Sequence, residues 1–260
     1  MNYLIEGLQG SGKSTLAKRL SVLHPDYNAI VEGEYSPIEL AWCAYVGKEE
    51  YEKILSKYAQ IQSLIEEKTV SEGDRRIICY TKIKTDIPGF YPDLEQYEIY
   101  NSRMPFSLFR ETILTRYRRW RQDRQIFECS IFQNIVEDMM LFLCAVDAQI
   151  LDFYRDVKSA LEGKDYRIIY LHTEDIEANF ETIKKERQNA ALGQSWISLM
   201  TRFFDGSPYA VKTGVHGEKA LLDHLRHRQA LEERICREIF SDNSVFLPSK
   251  QYTDEDLLKI

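Results

Sequence analysis

Residues Tyr3–Thr15 read YLIEGLQGSGKST, a short apolar run that passes through a glycine-rich turn into a predicted helix. Gly7, Gly12, Lys13 and Ser14 fit the spacing G-x-x-x-x-G-K-[ST], which is typical of a phosphate-binding loop. In such a loop Lys13 neutralises the β- and γ-phosphates of a nucleotide, and the Ser14 hydroxyl is a ligand of Mg²⁺. The residues predicted to hold the nucleotide are Gly10, Ser11, Gly12, Lys13, Ser14 and Thr15.

The three glycines of this stretch have a physical role. They adopt backbone angles that other residues avoid, and they let amide N–H groups approach an anion closely. Those amides form a concave nest, to which the following helix adds its positive N-terminal end. Leu16, Leu20 and Leu23 repeat at helical spacing and support that helix. A glycine turn without a ligand is the alternative, but the strand before it and the helix after it favour the phosphate loop.

Composition narrows the class of protein. A chain of 260 residues with 44% hydrophobic residues can build one large α/β domain or two small ones. The formal charge of −7 argues against general affinity for nucleic acid or for an anionic membrane. No apolar run reaches the length of a membrane span, and the N-terminus lacks the pattern of a signal peptide. The five cysteines include no C-x-x-C pair, so we expect reduced thiols in a cytoplasmic protein.

Two acidic residues follow the second predicted strand, which spans residues 27–31. Ligands gather at the carboxyl ends of parallel strands, so Glu32 and Glu34 are candidates for chemistry. One of them would take the proton from an attacking hydroxyl or hold a metal-bound water. A solvated acidic turn is the alternative interpretation.

The middle of the chain carries weaker signals. We predict helices over residues 37–46 and 48–70, and an extra strand over residues 75–83. Residues 85–104 are irregular and rich in aromatic residues, and they include Tyr91 and Arg103. This segment either lines a pocket that stacks a ring-shaped substrate or is a loop held to the body by its aromatic side chains.

A predicted helix over residues 105–122 ends in Arg116, Arg118, Arg119 and Arg121. Such a cluster occurs on nucleic-acid surfaces, but the acidic net charge favours an ordinary helix C-terminus, with one arginine turned toward an anionic substrate. The strand that follows ends at Glu128, where a carboxylate beside a phosphate loop holds Mg²⁺ directly or through water. An ordinary strand-end or helix-start acid is the alternative for Glu128.

The remaining pattern alternates helices and strands. We predict a long helix over residues 131–161, a helix over 174–187 and a last long helix over 218–240, with strands at residues 166–171 and 244–247. Residues 189–217 have the composition of a mobile segment. Alternation of this kind predicts a parallel sheet covered by helices on both faces.

The chain resembles the thymidylate kinase and deoxynucleoside kinase group. The resemblance rests on Ile5–Thr15, on strand 168–171 with the helix that ends in Lys185-Glu186-Arg187, and on Glu128-Cys129-Ser130, which sits where the group has an acid-arginine-serine motif. It implies an α/β, three-layer P-loop NTPase fold with a five-stranded parallel sheet, in one domain over residues 1–260. The insertion, expected to be helical, would span about residues 36–123 and the lid about residues 187–217.

The same resemblance implies ATP, Mg²⁺ and lid arginines, here Arg187 and Arg202, that stabilise charge on the transferring phosphoryl group. Two departures lie on the acceptor side. Cys129 replaces the arginine of the motif, so the role of that arginine is either empty or filled by another residue such as Arg103. Glu32 precedes a glycine where the group usually has a proline, so the choice of base between Glu32 and Glu34 stays open.

We therefore predict transfer of the γ-phosphate of ATP to a small-molecule acceptor that resembles a nucleoside or nucleotide. Lys13, Glu32 and Arg187 are the predicted catalytic residues, and Ser14 and Glu128 the metal ligands. Glu34, Tyr91, Arg103 and Arg202 are predicted to bind the substrate. Two alternatives stay open, a kinase of a non-nucleoside metabolite or antibiotic and a nucleotide-binding regulatory protein with little transferase activity. No nucleic-acid or membrane partner is expected, and a homodimer is left open.

Overall fold

The computed structural model describes residues 1–186, 188–189 and 194–260, with side chains described outside residues 187–195. The ten strands are β1 (Asn2–Gly7), β2 (Asn28–Ile30), β3 (Ala44–Gly47), β4 (Thr69–Glu72), β5 (Arg75–Ile78), β6 (Gln125–Glu128), β7 (Tyr166–His172), β8 (Gln188–Asn189), β9 (Gln194–Ser195) and β10 (Ser244–Pro248) in the described part of the chain.

Twelve α-helices lie among these described residues: α1 (Lys13–Leu23), α2 (Lys48–Lys57), α3 (Gln62–Glu67), α4 (Phe90–Glu95), α5 (Phe106–Arg119), α6 (Gln133–Leu141), α7 (Asp147–Ala160), α8 (Ile176–Glu186), α9 (Trp196–Asp205), α10 (Pro208–Thr213), α11 (Gly217–Glu238) and α12 (Asp254–Leu257). Two short 3₁₀ turns lie at Ala59–Ile61 and Tyr80–Lys82. No helix within these ranges is long and apolar enough to cross a membrane.

The chain divides into two compact units. Unit 1 comprises Met1–Ala29 and Arg121–Ile260, and unit 2 comprises Ile30–Trp120. Unit 2 covers most of the predicted insertion at residues 36–123.

Unit 1 is built on a five-stranded sheet with the order β10-β7-β1-β6-β2. β1 pairs in parallel with β6 and β7, and β7 pairs in parallel with β10. All six residues of β1 are buried, as expected for the central strand of a sheet covered on both faces. The predicted α/β fold with five parallel strands is confirmed. Because the strands after β1 lie first on one side of it and then on the other, the carboxyl end of β1 is a topological switch point, where ligands bind in such sheets.

Helices cover both faces of this sheet. On one face Tyr3 and Ile5 of β1 pack with Leu16 and Leu20 of α1 and with Leu257 of α12. On the other face the rings of Phe132, Tyr154, Tyr170 and Phe240 contact one another at centroid separations between 5.4 and 6.5 Å. These two apolar layers hold β1 rigidly, and therefore also the loop that follows it.

Unit 2 contains a three-stranded antiparallel sheet with the order β3-β5-β4, in which β5 is the predicted extra strand. Its core joins this sheet to α2, α3 and α4 through buried residues such as Ile54, Ile65, Ile78, Phe90 and Leu94. The insertion is therefore a mixed α/β structure rather than a purely helical one.

The helix predicted over residues 37–46 is wrong. Glu39 turns its carboxylate back on the main chain, where Oε1 accepts hydrogen bonds from the N–H groups of Leu40 and Ala41 at 2.6 and 2.7 Å. Trp42 has a positive φ of 63°, which ends any regular right-handed helix. Residues 44–47 then form β3 because β5 lies beside them.

Two further predicted helices are divided in the structure. The helix expected over residues 48–70 is divided into α2, a 3₁₀ turn and α3, and residues 69–72 form β4. The helix expected over residues 131–161 is interrupted between α6 and α7, where Cys144 has a positive φ of 48°. In the predicted mobile segment, the described residues 196–213 form α9 and α10, whose Ile197, Phe204 and Ala210 pack against α11 residues in one apolar cluster.

Candidate functional site

The loop between β1 and α1 has the backbone that the sequence predicts. Gly7, Gly10 and Gly12 have φ values of 137°, 76° and 97°, a region that residues with side chains avoid. A Cβ on Gly7 would lie 2.7 Å from the carbonyl oxygen of Leu171, so no larger residue fits there. The loop thus combines left-handed turns and close backbone approach, the conformation in which consecutive N–H groups face one cavity.

Lys13 begins α1 and points back into this loop. Its side chain is only 6% exposed, and Nζ donates hydrogen bonds of 2.8 Å to the carbonyl oxygens of both Gly7 and Leu8. An ammonium group has three protons. Within the described structure Nζ makes these two hydrogen bonds. Its third proton can therefore bind an anionic ligand that lies over the loop.

The N-terminus of α1 adds to this positive site. Its N-cap is Gly12, which has no side chain to occupy the first N–H groups of the helix. The helix has 11 residues, so its aligned peptide dipoles place partial positive charge at this end. Backbone N–H groups, a helix terminus and a buried ammonium therefore converge where a phosphate chain would lie.

Ser14 and Glu128 form a donor pair suited to a hard divalent cation. The Ser14 hydroxyl donates a hydrogen bond to Glu128 Oε1. Glu128 ends β6 and is the register partner of Ile5 in β1, which brings its carboxylate to the loop. In the described ranges no cluster of three or more histidine, cysteine or acidic residues forms a complete metal site. A hydroxyl and one carboxylate match Mg²⁺, which commonly takes few protein ligands and keeps waters and phosphate oxygens.

Glu6, which precedes the loop, fixes the turn after Glu128. Its Oε1 accepts hydrogen bonds from the N–H groups of Ser130 and Ile131, both at 2.7 Å, and Oε2 accepts one from Gln133 N–H at 3.2 Å. Complete burial raises the pKa of Glu6 to about 7, against the opposing effect of the Ile131 N–H bond. Cys129, at the position of the missing arginine, is buried in this turn with a φ of 56°.

A cleft of about 870 Å³ opens beside the phosphate loop in unit 1. Its walls come from the end of β7, the first turns of α8 and the residues that follow β10. Asn179 Nδ2 donates to Gln9 O and Ser249 Oγ donates to Ser11 O, each at 2.9 Å, so two wall residues also hold the loop. The cleft therefore lies next to the loop.

The end of β7 supplies polar groups to this cleft. Gln229 accepts from Thr173 N–H and donates to Thr173 O, both at 3.0 Å, and this pair of bonds fixes the main chain. The Thr173 residue is 4% exposed, and its hydroxyl has no hydrogen-bond partner within the described structure. His172 Nδ1 contacts the Glu233 carboxylate. The wall of the cleft thus contains a buried hydroxyl without a partner in the described structure, as well as charged side chains.

The acidic turn after β2 belongs to unit 2. Glu32 Oε1 accepts a hydrogen bond of 2.9 Å from Trp42 Nε1, which orients this carboxylate. Glu34 is exposed, and its N–H donates to the Val31 carbonyl oxygen at 3.1 Å within the turn. The two candidate bases therefore differ, since Glu32 has a fixed side chain and Glu34 has an exposed one.

Arg103 and Tyr91, predicted to bind substrate, have partners inside unit 2. Arg103 contacts Glu95 at 2.6 Å and Glu98 at 3.1 Å. Burial raises the pKa of Glu98, against the effects of its hydrogen bond from Tyr80 and of the Arg103 charge. Tyr91 donates its hydroxyl proton to the Ile83 carbonyl oxygen at 2.8 Å. A ligand role for either side chain has to coexist with these contacts.

Arg116 is a buried member of the basic cluster at the end of α5. Its NH1 donates to Glu72 Oε2 at 2.5 Å, its NH2 donates to the Ser36 carbonyl oxygen, and Tyr35 donates to Glu72 Oε1 at 2.6 Å. The arginine thereby holds the segment that follows the acidic turn. Arg116 is part of the interior of unit 2 rather than of an exposed basic surface.

Of the two arginines predicted to lie in a lid, one falls within the described residues and the other does not. Arg187 lies outside the described residues. Arg202 lies on α9 in unit 1, with an exposed side chain.

Sequence reasoning missed the cleft and a buried polar stripe on α11. Ser249 and Lys250 follow β10 directly, and strand carboxyl ends gather ligands, so the position of these residues was a usable signal. The stripe, formed by His224, Arg228 and Glu232, repeats at intervals of four residues and was visible as polar residues on one helix face.

Comparison with known proteins finds matches among solved structures. No known family profile matches the chain, and no curated protein sequence matches it. Among solved structures it is similar to a deoxyadenosine kinase from M. mycoides with bound dATP. That match has a TM-score of 0.40 and 15% sequence identity, and it covers 100% of this chain and 97% of the other.

Proposed function

We propose that the chain is an ATP-dependent phosphotransferase that moves the γ-phosphate to a small acceptor of the nucleoside or nucleotide class. The observation that carries the proposal is the buried Lys13 ammonium, held by two carbonyl oxygens of a loop whose three glycines have positive φ. Positive charge concentrated in this way, in a chain with a net charge of −7, has an anionic ligand as its natural partner.

The donor side follows from the residues of unit 1. The loop amides and Lys13 bind the β- and γ-phosphates, and the nucleoside end of ATP occupies the cleft bounded by Asn179 and Ser249. Mg²⁺, when bound, would be held by Ser14 and Glu128 and would neutralise charge on the phosphate oxygens. Arg187 and Arg202 would stabilise the transferred phosphoryl group from the lid.

The acceptor side is assigned to residues of unit 2. Glu32 orients the acceptor hydroxyl or takes its proton, because its carboxylate is already fixed by Trp42. Glu34, Tyr91 and Arg103 would contact the acceptor. The resemblance to the thymidylate kinase and deoxynucleoside kinase group supports this choice of substrate class. A homodimer stays a prediction.

Titration with MgATP tests the donor side. A ligand at 100 times its Kd stabilises a folded protein by about 2.7 kcal/mol, which gives a measurable rise in Tm. We expect that rise for the wild type and for Lys18→Ala, which changes an exposed lysine of the same helix. Lys13→Ala should abolish it while leaving the unliganded Tm within a few degrees. The proposal would be refuted if MgATP neither raised the Tm of the wild-type protein nor gave a heat of binding in calorimetry.

A panel of acceptors tests the other half. ATP consumption is measured with deoxynucleosides, nucleoside monophosphates and aminoglycosides, and the best acceptor is then assayed with Glu32→Gln and Glu34→Gln. Loss of a general base costs on the order of 100-fold or more in turnover. We expect that loss for Glu32→Gln with unchanged ATP affinity. An equal rate would transfer the role to Glu34, and slow hydrolysis unaffected by any acceptor would favour a regulatory protein.

A further inference from the structure

Helix α11 carries a buried stripe of ionisable residues that faces the phosphate loop. His224, Arg228 and Glu232 are spaced by four residues, so their side chains lie on one side of the helix, and all three are buried. Burying charged groups is costly unless they are paired. The presence of these ionisable residues on the buried face of α11 therefore calls for an explanation other than packing.

The partners of Arg228 supply that reason. The side chain is 0% exposed, and its three nitrogens face three different elements. NH1 donates to Glu137 Oε2 of α6 and NH2 donates to Gln9 Oε1 of the phosphate loop, both at 2.6 Å. Nε lies 3.3 Å from Glu232 Oε1 on the same helix.

The charge of this cluster is balanced without the phosphate loop. Burial opposes ionisation of Glu137, but the charges of Arg228 and His224 outweigh it and lower the pKa of Glu137 to about 2. Glu232 accepts a hydrogen bond of 2.7 Å from the Tyr170 hydroxyl. Since Glu137 already neutralises Arg228, the bond to the neutral Gln9 amide is not needed for charge balance. It connects the cluster to the loop.

Gln9 is fixed at two points. Its main-chain oxygen accepts from Asn179 Nδ2 at 2.9 Å, and its side chain is held by Arg228. The residue stands beside Gly10, which has a positive φ, in the part of the loop where N–H direction decides anion binding. A flexible glycine loop loses conformational entropy when a ligand orders it, and contacts that order it beforehand reduce that loss.

We propose that Arg228 is a positioning residue for the phosphate loop: through the Gln9 side chain, it holds the loop in its anion-binding conformation before nucleotide arrives. The inference rests on the proposed function, because it requires that this loop binds a nucleotide. Its recorded contact with the loop is the bond to the Gln9 side chain, so Arg228 would act through Gln9. The expected signature is a loss of nucleotide affinity in addition to any loss of fold stability.

Gln9→Met is the central variant, since it keeps the length of the side chain and removes the acceptor for Arg228. Its matched control is Gln149→Met, because Gln149 Oε1 accepts a single hydrogen bond of 3.0 Å from Val146 N–H at the start of α7. Both variants and the wild type are titrated with MgATP by calorimetry, and the Tm of each is measured without nucleotide. We expect Gln9→Met to lower Tm more than the control, because it leaves a buried Arg228 N–H unpaired, and in addition to weaken MgATP binding about tenfold. Gln149→Met should change affinity less than twofold.

Arg228→Lys and the double variant with Gln9→Met complete a cycle. If the arginine acts through Gln9, the double variant binds MgATP no more weakly than Arg228→Lys alone. Additive losses, or a Gln9→Met affinity equal to that of the wild type, would overturn the inference and leave the proposed function intact. A wild type that fails to bind MgATP would overturn both. If Arg228→Lys does not fold, the comparison of Gln9→Met with Gln149→Met decides.

Discussion

Glu6→Gln removes a titrating proton from beneath the phosphate loop while preserving the shape of the side chain. A glutamine oxygen can still accept from the N–H groups of Ser130 and Ile131, the two bonds of 2.7 Å that Oε1 makes in this structure. The carboxylate is completely buried, with Glu232 and Lys13 as its charged neighbours. The amide nitrogen that replaces Oε2 cannot accept the bond of 3.2 Å from Gln133 N–H, but this loss is the same at every pH. The pH-dependent part of the effect therefore reports the charging of this one group.

The size and sign of the effect follow from the pKa. Burial raises the pKa of Glu6 from 4.5 to about 7, against hydrogen bonds and the Lys13 charge that favour ionisation. Each pKa unit is worth 1.36 kcal/mol, so charging the group in the folded state costs about 3 kcal/mol. The folded protein binds this proton more tightly than the unfolded chain. The contribution of Glu6 is therefore most favourable below pH 4.5 and is lost as the pH rises through about 7.

Chemical denaturation at pH values from 5 to 8 measures this contribution as the difference between wild type and Glu6→Gln. Because all other titrating groups are shared, they cancel in the difference. The variant should gain stability relative to the wild type as the pH rises, by about 3 kcal/mol in total between pH values below 4.5 and above 7. A difference that does not change with pH would show that Glu6 is not protonated in the folded protein near neutral pH.

Two further predictions concern buried polar groups. Arg116→Met removes the partner of Glu72 and of the Ser36 carbonyl and should destabilise the protein by about 3 kcal/mol, whereas the exposed Arg119→Met should change stability by less than about 0.5 kcal/mol in the same denaturation assay. A smaller loss for Arg116→Met than for Arg119→Met would contradict the pairing. Thr173→Val replaces a buried hydroxyl that has no partner within the described structure, so Tm should stay the same or rise, and MgATP affinity measured by calorimetry should stay unchanged. A clear drop in Tm would mean that the hydroxyl is already satisfied.

The phosphate loop was predictable because its signal is local. Glycines at positions 7, 10 and 12 are required by positive φ angles, and the lysine and serine that follow them lie on the first turn of α1. The five parallel strands were predictable for a similar reason, since buried strands such as β1 and β7 contain short apolar runs, residues 3–5 and 168–171. The order of the strands in the sheet is a property of the topology and not of any single residue. Because β6 lies beside β1 in that order, Glu128 comes into contact with Ser14.

Other features depend on contacts between residues distant in the sequence. Residues 37–46 have a composition compatible with a helix, but the Glu39 side chain, which also accepts from the Tyr100 hydroxyl at 2.5 Å, bonds to the main chain instead. The break between α6 and α7 has neither proline nor glycine, so an apolar pattern could not reveal it. The cleft depends on residues near positions 175 and 250 meeting in space. Neither segment predicts that meeting on its own.

The cluster around Arg228 also constrains how this sequence can change over evolutionary time. Replacing Arg228 alone leaves Glu137 ionised without its main counter-charge, and replacing Glu137 alone leaves a buried cation with Glu232 as its remaining acidic neighbour. Either single change passes through an unstable intermediate. Divergent descendants of this chain should therefore keep both residues or lose both together, and a substitution at position 9 should accompany the loss.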